Sequence, residues 1–171
     1  MAESLPEVWL RGPVEGIPVL LQPAAHALLQ AMEEINELMK DFPDRLLWEH
    51  PAGVASPGFH LLHIAGVLNR LCTYAKGNLL NEEQLAYLKA ENTPNESTAK
   101  ELVAQLEKQV QRTLEQLKAT DEAAIKDART VGRKALPSTV QGLLFHAAEH
   151  TMRHLGQLLV TVKIVKAGNS I

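Results

Sequence analysis

The stretch His146-Ala147-Ala148-Glu149-His150-Thr151-Met152-Arg153-His154-Leu155-Gly156-Gln157 decides the fold. Its histidines recur every fourth residue and its apolar residues keep a 3.6-residue period, so the segment reads as helix. On one helix face, two imidazoles four apart can converge on a single metal ion. A second cluster, Phe59-His60-Leu61-Leu62-His63-Ile64-Ala65-Gly66, sits on another helical segment. Five of the seven histidines therefore fall in two short stretches.

Working outward, the helix that carries the first cluster is expected to start at Ser138, with Ser138-x-x-Gln141 as a capping box, and to end near Gly168. Val140, Leu144, Ala147, Ala148, Thr151, Leu155, Leu158, Val162 and Val165 form its core face. The helix that carries the second cluster has Ser56 as N-cap and Pro57 in its first turn, and stops at Lys76-Gly77. Only Asn69, Thr73 and Lys76 break its apolar circumference, which is the pattern of a buried helix. A further amphipathic period runs from Pro23 to Asp41. Another starts at Thr98, where Thr98-x-x-Glu101 is a capping box, and carries the stripe Leu102, Leu106, Val110, Thr113, Leu114 and Leu117. Its opposite face, rich in Lys, Glu and Gln, reads as solvated. Asn81-Glu82-Glu83-Gln84 opens a short extra helix, between the second and third long ones, that ends near Glu91.

No segment alternates as a strand does, so the chain reads as all-α, a four-helix bundle over residues 23–171. Residues 1–22 hold too many Pro and Gly for regular helix and read as an arm. Trp9, Val14, Ile17 and Val19 are its residues for packing on the body.

With 171 residues, 46% hydrophobic and 22% charged, the chain is long enough for one domain with a real core. A net charge of −3 with interspersed signs gives no reason to expect nucleic acid or an anionic membrane as partner. Cys72 is the lone cysteine, which rules out an intramolecular disulfide and makes the reducing cytoplasm the simplest compartment. Within its apolar helix Cys72 reads as a small buried hydrophobe and not as a nucleophile. No signal peptide or membrane-spanning run is visible.

On a helical wheel at about 100° per residue, His154 lies nearest the core stripe, His150 at its shoulder and His146 furthest toward solvent. His150 and His154 are thus the better pair, and the second cluster is expected to supply the third ligand. Periodicity does not choose between His60 and His63, because their helix is apolar nearly all round. His26 and His50 read as partly exposed polar residues. His146-x-x-Glu149-His150 also matches the H-x-x-E-H motif of the inverzincins, with Glu149 as general base. That reading is set aside, because only 21 residues follow His150 and the only ligand candidate among them is His154. The small Gly156 beside Gln157 suggests close approach of a helix or ligand.

His63-Ile64-Ala65-Gly66-x-Leu68-x-Arg70-Leu71 on one helix and His150-x-x-x-His154-x-Gly156-Gln157 on the last resemble the DinB-like (DinB/YfiT) superfamily. The resemblance extends from about Pro23 to Lys166. It implies a divalent ion, nickel or zinc, held by His63, His150 and His154. His60, His146, Glu149 and Gln157 then become supporting positions around those ligands. It further implies a homodimer acting on a small molecule, either as a thiol transferase using a low-molecular-weight thiol such as bacillithiol or mycothiol, or as a hydrolase.

Three neutral imidazoles leave a coordination position open, the arrangement of a catalytic metal. That position suits a water with a lowered pKa or a thiolate. No carboxylate lies between His150 and His154 to act as base, which favours thiolate chemistry. Arg70 or Arg153 could hold an anionic cosubstrate, but both read first as surface residues. The alternative is a non-catalytic stress or interaction protein stabilised by its ion.

Overall fold

The computed structural model describes residues 5–168. Seven elements follow in order: α1 (Gln22–Met39), α2 (Pro57–Ala75), α3 (Glu82–Ala90), α4 (Ala99–Ala119), β1 (Ala128–Val131), β2 (Leu136–Thr139) and α5 (Val140–Gly168). Four of the helices are long, and α1 and α2 each pack against both α4 and α5. Their apolar stripes meet in one core, in which Leu28, Ile35, Leu68, Leu106, Leu117, Leu144 and Leu158 are fully enclosed. Each such side chain contributes roughly 1.5–3 kcal/mol through burial.

The helix boundaries follow the local chemistry. The Ser56 hydroxyl accepts from the Phe59 N–H, and Pro57 occupies the first turn of α2. At the other end Gly77 takes a φ of 80°, with Gly77 N–H donating to Tyr74 O and Asn78 N–H to Thr73 O, a Schellman closure. Thr98 with Glu101 and Asn81 with Gln84 close reciprocal capping boxes.

Three expectations from the sequence need correction. The chain is not all-α: β1 and β2 pair antiparallel, Ala128 opposite Thr139 and Val131 opposite Leu136. Each strand is only four residues long, and the second contains Pro137, so neither carries a legible alternation. Arg129 fastens the hairpin to the body by donating from Nε to the Ala75 carbonyl at the end of α2. The last helix, secondly, begins after Ser138, which belongs to β2. The Thr139 hydroxyl takes the capping role, accepting from the Gly142 N–H. Thirdly, the arm packs through Val8, Val14, Ile17 and Leu21, whereas Trp9 and Val19 are exposed. His26 ties the arm to α1 through the Gly12 carbonyl, at 3.0 Å.

Among the described residues no helix is long and apolar enough to cross a membrane.

Candidate metal centre

The face of α2 that carries His60 and His63 abuts the face of α5 that carries His150 and His154. Nitrogens of His63, His150 and His154 all lie within 4.8 Å of one another, a cluster able to hold a metal ion. Nε2 of His63 is 3.0 Å from Nε2 of His150. The rings of His63 and His154 are 4.5 Å apart between centroids, as are those of His150 and His154. His154 is buried, and the other two are partly open to solvent. His146, on the outer turn of α5, is exposed. It faces Glu149 at 3.2 Å and joins a second, more exposed grouping with Glu149 and His150.

The tautomers follow from the hydrogen-bond partners. Nδ1 of His63 lies 2.7 Å from a carboxylate oxygen of Glu91; a carboxylate only accepts, so Nδ1 carries the proton and Nε2 keeps its lone pair. Nδ1 of His60 meets Nδ1 of His154 at 3.0 Å. In the tautomer in which His154 donates there, its Nε2 is left as a ligand atom. Nδ1 of His150 is buried without a partner among the described residues, and the contact of its Nε2 with Nε2 of His63 is what holds the ring on its polar side. Phe59 stacks on His63, with centroids 5.0 Å apart and an interplanar angle of 16°. Burial, then the neighbouring His63, depresses the pKa of His150 to about 4 and of His154 to about 3; the same causes hold His60 at about 4. These rings are neutral at pH 7, as a ligand requires.

Two residues of the site were not legible in the sequence. Glu91, just past α3, is 3% exposed and uses one carboxylate oxygen on His63 and the other on Arg70 Nη1, at 2.5 Å. Arg70, expected at the surface, is instead buried. Gly66 makes room for the pair: a Cβ there would meet Glu91, Arg70 and the Tyr87 ring. Tyr87 closes this corner from α3, donating to the Leu62 carbonyl while burial and nearby Glu91 push its phenol up to about 12. The short helix α3 thus delivers a carboxylate behind a ligand candidate. A fixed-spacing motif could not show this, because Glu91 is 28 residues from His63.

The other expected supporting residues divide. His60 touches His154 as described. Glu149 points outward to Arg153, whose hydrogen bond is the main reason its carboxyl is held below the ordinary range. Gln157 is exposed and makes no hydrogen bond to the cluster, and no other segment comes within 4 Å of where a Gly156 Cβ would sit. Cys72 is buried, and burial raises its thiol pKa, as expected of a core residue.

A family model, that of the DinB superfamily, matches residues 27–158, a span that contains His63, His150, His154 and Glu91. The chain belongs to the DinB superfamily. A crystal structure of a conserved protein from Enterococcus faecalis shares the fold with this DinB protein, with a TM-score of 0.67 at 20% identity, covering 85% of this chain and 96% of that one. No curated protein matches the sequence.

Proposed function

We propose that this DinB protein is a metal-dependent enzyme whose four long helices form a bundle frame for a three-histidine site. His63, His150 and His154 would hold a divalent ion, nickel or zinc, and the reaction is transfer of a low-molecular-weight thiol to an electrophilic small molecule. The observation that carries this reading is the convergence of three imidazoles from α2 and α5, with Glu91 behind His63. Carboxylate–histidine pairs of that kind orient metal ligands and raise their basicity. With only three protein donors, such a site leaves a position for a guest. When bound, the ion supplies a Lewis-acid centre that favours the deprotonated form of a thiol or a water.

Among the described residues, neither carboxylate beside the histidines is free to act as a general base. Glu91 is engaged by His63 and Arg70, and Glu149 by Arg153 and His146. Thiol chemistry, which needs no separate base once the thiolate is stabilised, therefore suits the site better than hydrolysis. Phe59, half-buried and stacked on His63, offers an apolar wall to an electrophile. The reading takes the working unit to be a homodimer, as the family resemblance implies, in the cytoplasm, as the lone Cys72 suggests.

Elemental analysis of untagged protein tests the site. Nearly one divalent ion per chain is expected, lost in His63→Ala, His150→Ala and His154→Ala and retained in His146→Ala. Metal-loaded protein should then accelerate displacement of halide from a haloaromatic electrophile by bacillithiol or mycothiol, with the C–S bond formed, the C–halogen bond broken and halide ion released. Absence of any rate enhancement, with His150→Ala sharply less heat-stable, would instead make the ion structural.

A further inference from the structure

On the side of α2 away from α5, a cavity of about 300 Å³ lies between α2, α3 and α4. The histidines do not line it. Its volume is at the lower end of the range for small-molecule sites. Its α4 wall is made by Gln105, Lys108, Gln109 and Arg112, a run at helical spacing from the face whose sequence reads as merely solvated. Three cations, Arg70, Lys108 and Arg112, line the cavity against the single carboxylate of Glu83. Lys108 and Arg112 are exposed at the mouth, and among the described residues neither has an ion pair or a hydrogen bond.

The floor carries donors that lack acceptors. Gln109 is 8% exposed; its side-chain carbonyl accepts from Asn69, and its amide N–H groups donate to nothing in the described structure. Arg70 spends Nη1 on Glu91, and its other N–H groups have no acceptor among the described residues. Between floor and mouth, Ala65 and the Tyr87 ring supply an apolar wall.

We propose that this cavity binds a small organic carboxylate, its anionic group held by Arg112 and Lys108 at the mouth and its polar end met by Gln109 and Arg70 at the floor. The planar guanidinium fork of Arg112 matches a carboxylate bidentately, and the apolar wall suits a carbon skeleton over a bare inorganic anion. The site is distinct from the histidine cluster, although Arg70 and Glu91 separate the two by only two side chains.

Calorimetric titration of the full chain with glutarate and succinate, at constant ionic strength, tests the proposal. Glutaramide and inorganic phosphate serve as comparisons. Saturable binding of a dicarboxylate is expected, weakened at least tenfold by Arg112→Gln and by Gln109→Leu and unchanged in His154→Ala. Arg112 is exposed, so its variant keeps the fold even if Gln109→Leu does not. The proposal is overturned if no carboxylate binds saturably, if phosphate or glutaramide binds as tightly, if Arg112→Gln leaves affinity intact, or if His154→Ala abolishes it. The His154→Ala arm separates the two sites, since that variant should lose the ion: carboxylate binding that survives it belongs to the cavity and not to the histidine site.

Discussion

Glu91 and His63 form a part-buried carboxylate–imidazole pair, 2.7 Å between Oε2 and Nδ1, whose second carboxylate oxygen is bound by Arg70. Replacing Glu91 with Gln leaves the buried Arg70 without a counter-charge, a change that costs about 3–5 kcal/mol. The thermal midpoint should fall accordingly. Adding Arg70→Met should recover most of that loss, because the stranded charge is gone. Metal affinity should stay about 10–100-fold weaker in both variants, since His63 has lost its orienting acceptor. Scanning calorimetry with a chelator-competition titration separates the two effects.

Gly66→Ala and Gly156→Ala should shift stability in opposite directions. Both glycines lie inside helices, where alanine is intrinsically favoured by about 1 kcal/mol. A Cβ at Gly66, however, would sit 2.6 Å from Arg70 Nη1 and 2.8 Å from the Tyr87 ring. Overpacking of that kind costs about 1–3 kcal/mol, so Gly66→Ala should destabilise and should weaken metal retention as Glu91→Gln does. No atom of another segment lies within 4 Å of a Cβ at Gly156, and Gly156→Ala should stabilise by about 0.5–1 kcal/mol. Urea midpoints of the two variants decide the matter.

Acid should destabilise the metal-free protein earlier than its carboxylates would explain. In the folded chain His60 and His150 have pKa values near 4 and His154 near 3, against 6.5 for an ordinary histidine. As pH falls below about 6.5 the unfolded chain takes up protons that the folded chain refuses. The stability tied to these rings is therefore complete above about pH 6.5 and lost between there and about pH 4 to 3. Urea midpoints from pH 8 to pH 5 should show this slope, and His154→Leu should reduce it. A flat profile over that range would remove the case for buried neutral rings.

His146→Ala and Glu149→Ala should each change stability by no more than about 0.5 kcal/mol, because His146 is exposed and Glu149 makes its ion pairs at the surface of α5. Metal content should also be unchanged. Loss of the ion in His146→Ala would move the site to the exposed grouping of His146, Glu149 and His150.

The helical frame and the histidine pair on α5 were legible because each depends on local spacing. Ser56, Thr98 and Asn81 announce their helices through side chains that bond three residues on, and the ranking of His154, His150 and His146 by burial follows from a wheel. His60 and His63 could not be separated in that way, since α2 is buried on almost every side. What divides them is tertiary: His63 meets His150 and Glu91, while His60 sits behind His154. Arg70 was misplaced for a related reason, because a guanidinium enclosed by core helices is stable only with a partner that arrives from α3. The hairpin escaped notice because strands of four residues leave too short a pattern to detect.

His63 and His150 are 87 residues apart in the chain, and only the docking of α2 on α5 brings them together. An unfolded chain offers an incoming ion no preformed cage, so uptake would follow folding and select the finished tertiary structure. By linkage, free ion at a hundred times its dissociation constant adds about 2.7 kcal/mol to that structure. Heat tolerance in a cell would then track the supply of the trace element, and starvation for it would register as increased turnover of this protein before any change in its synthesis.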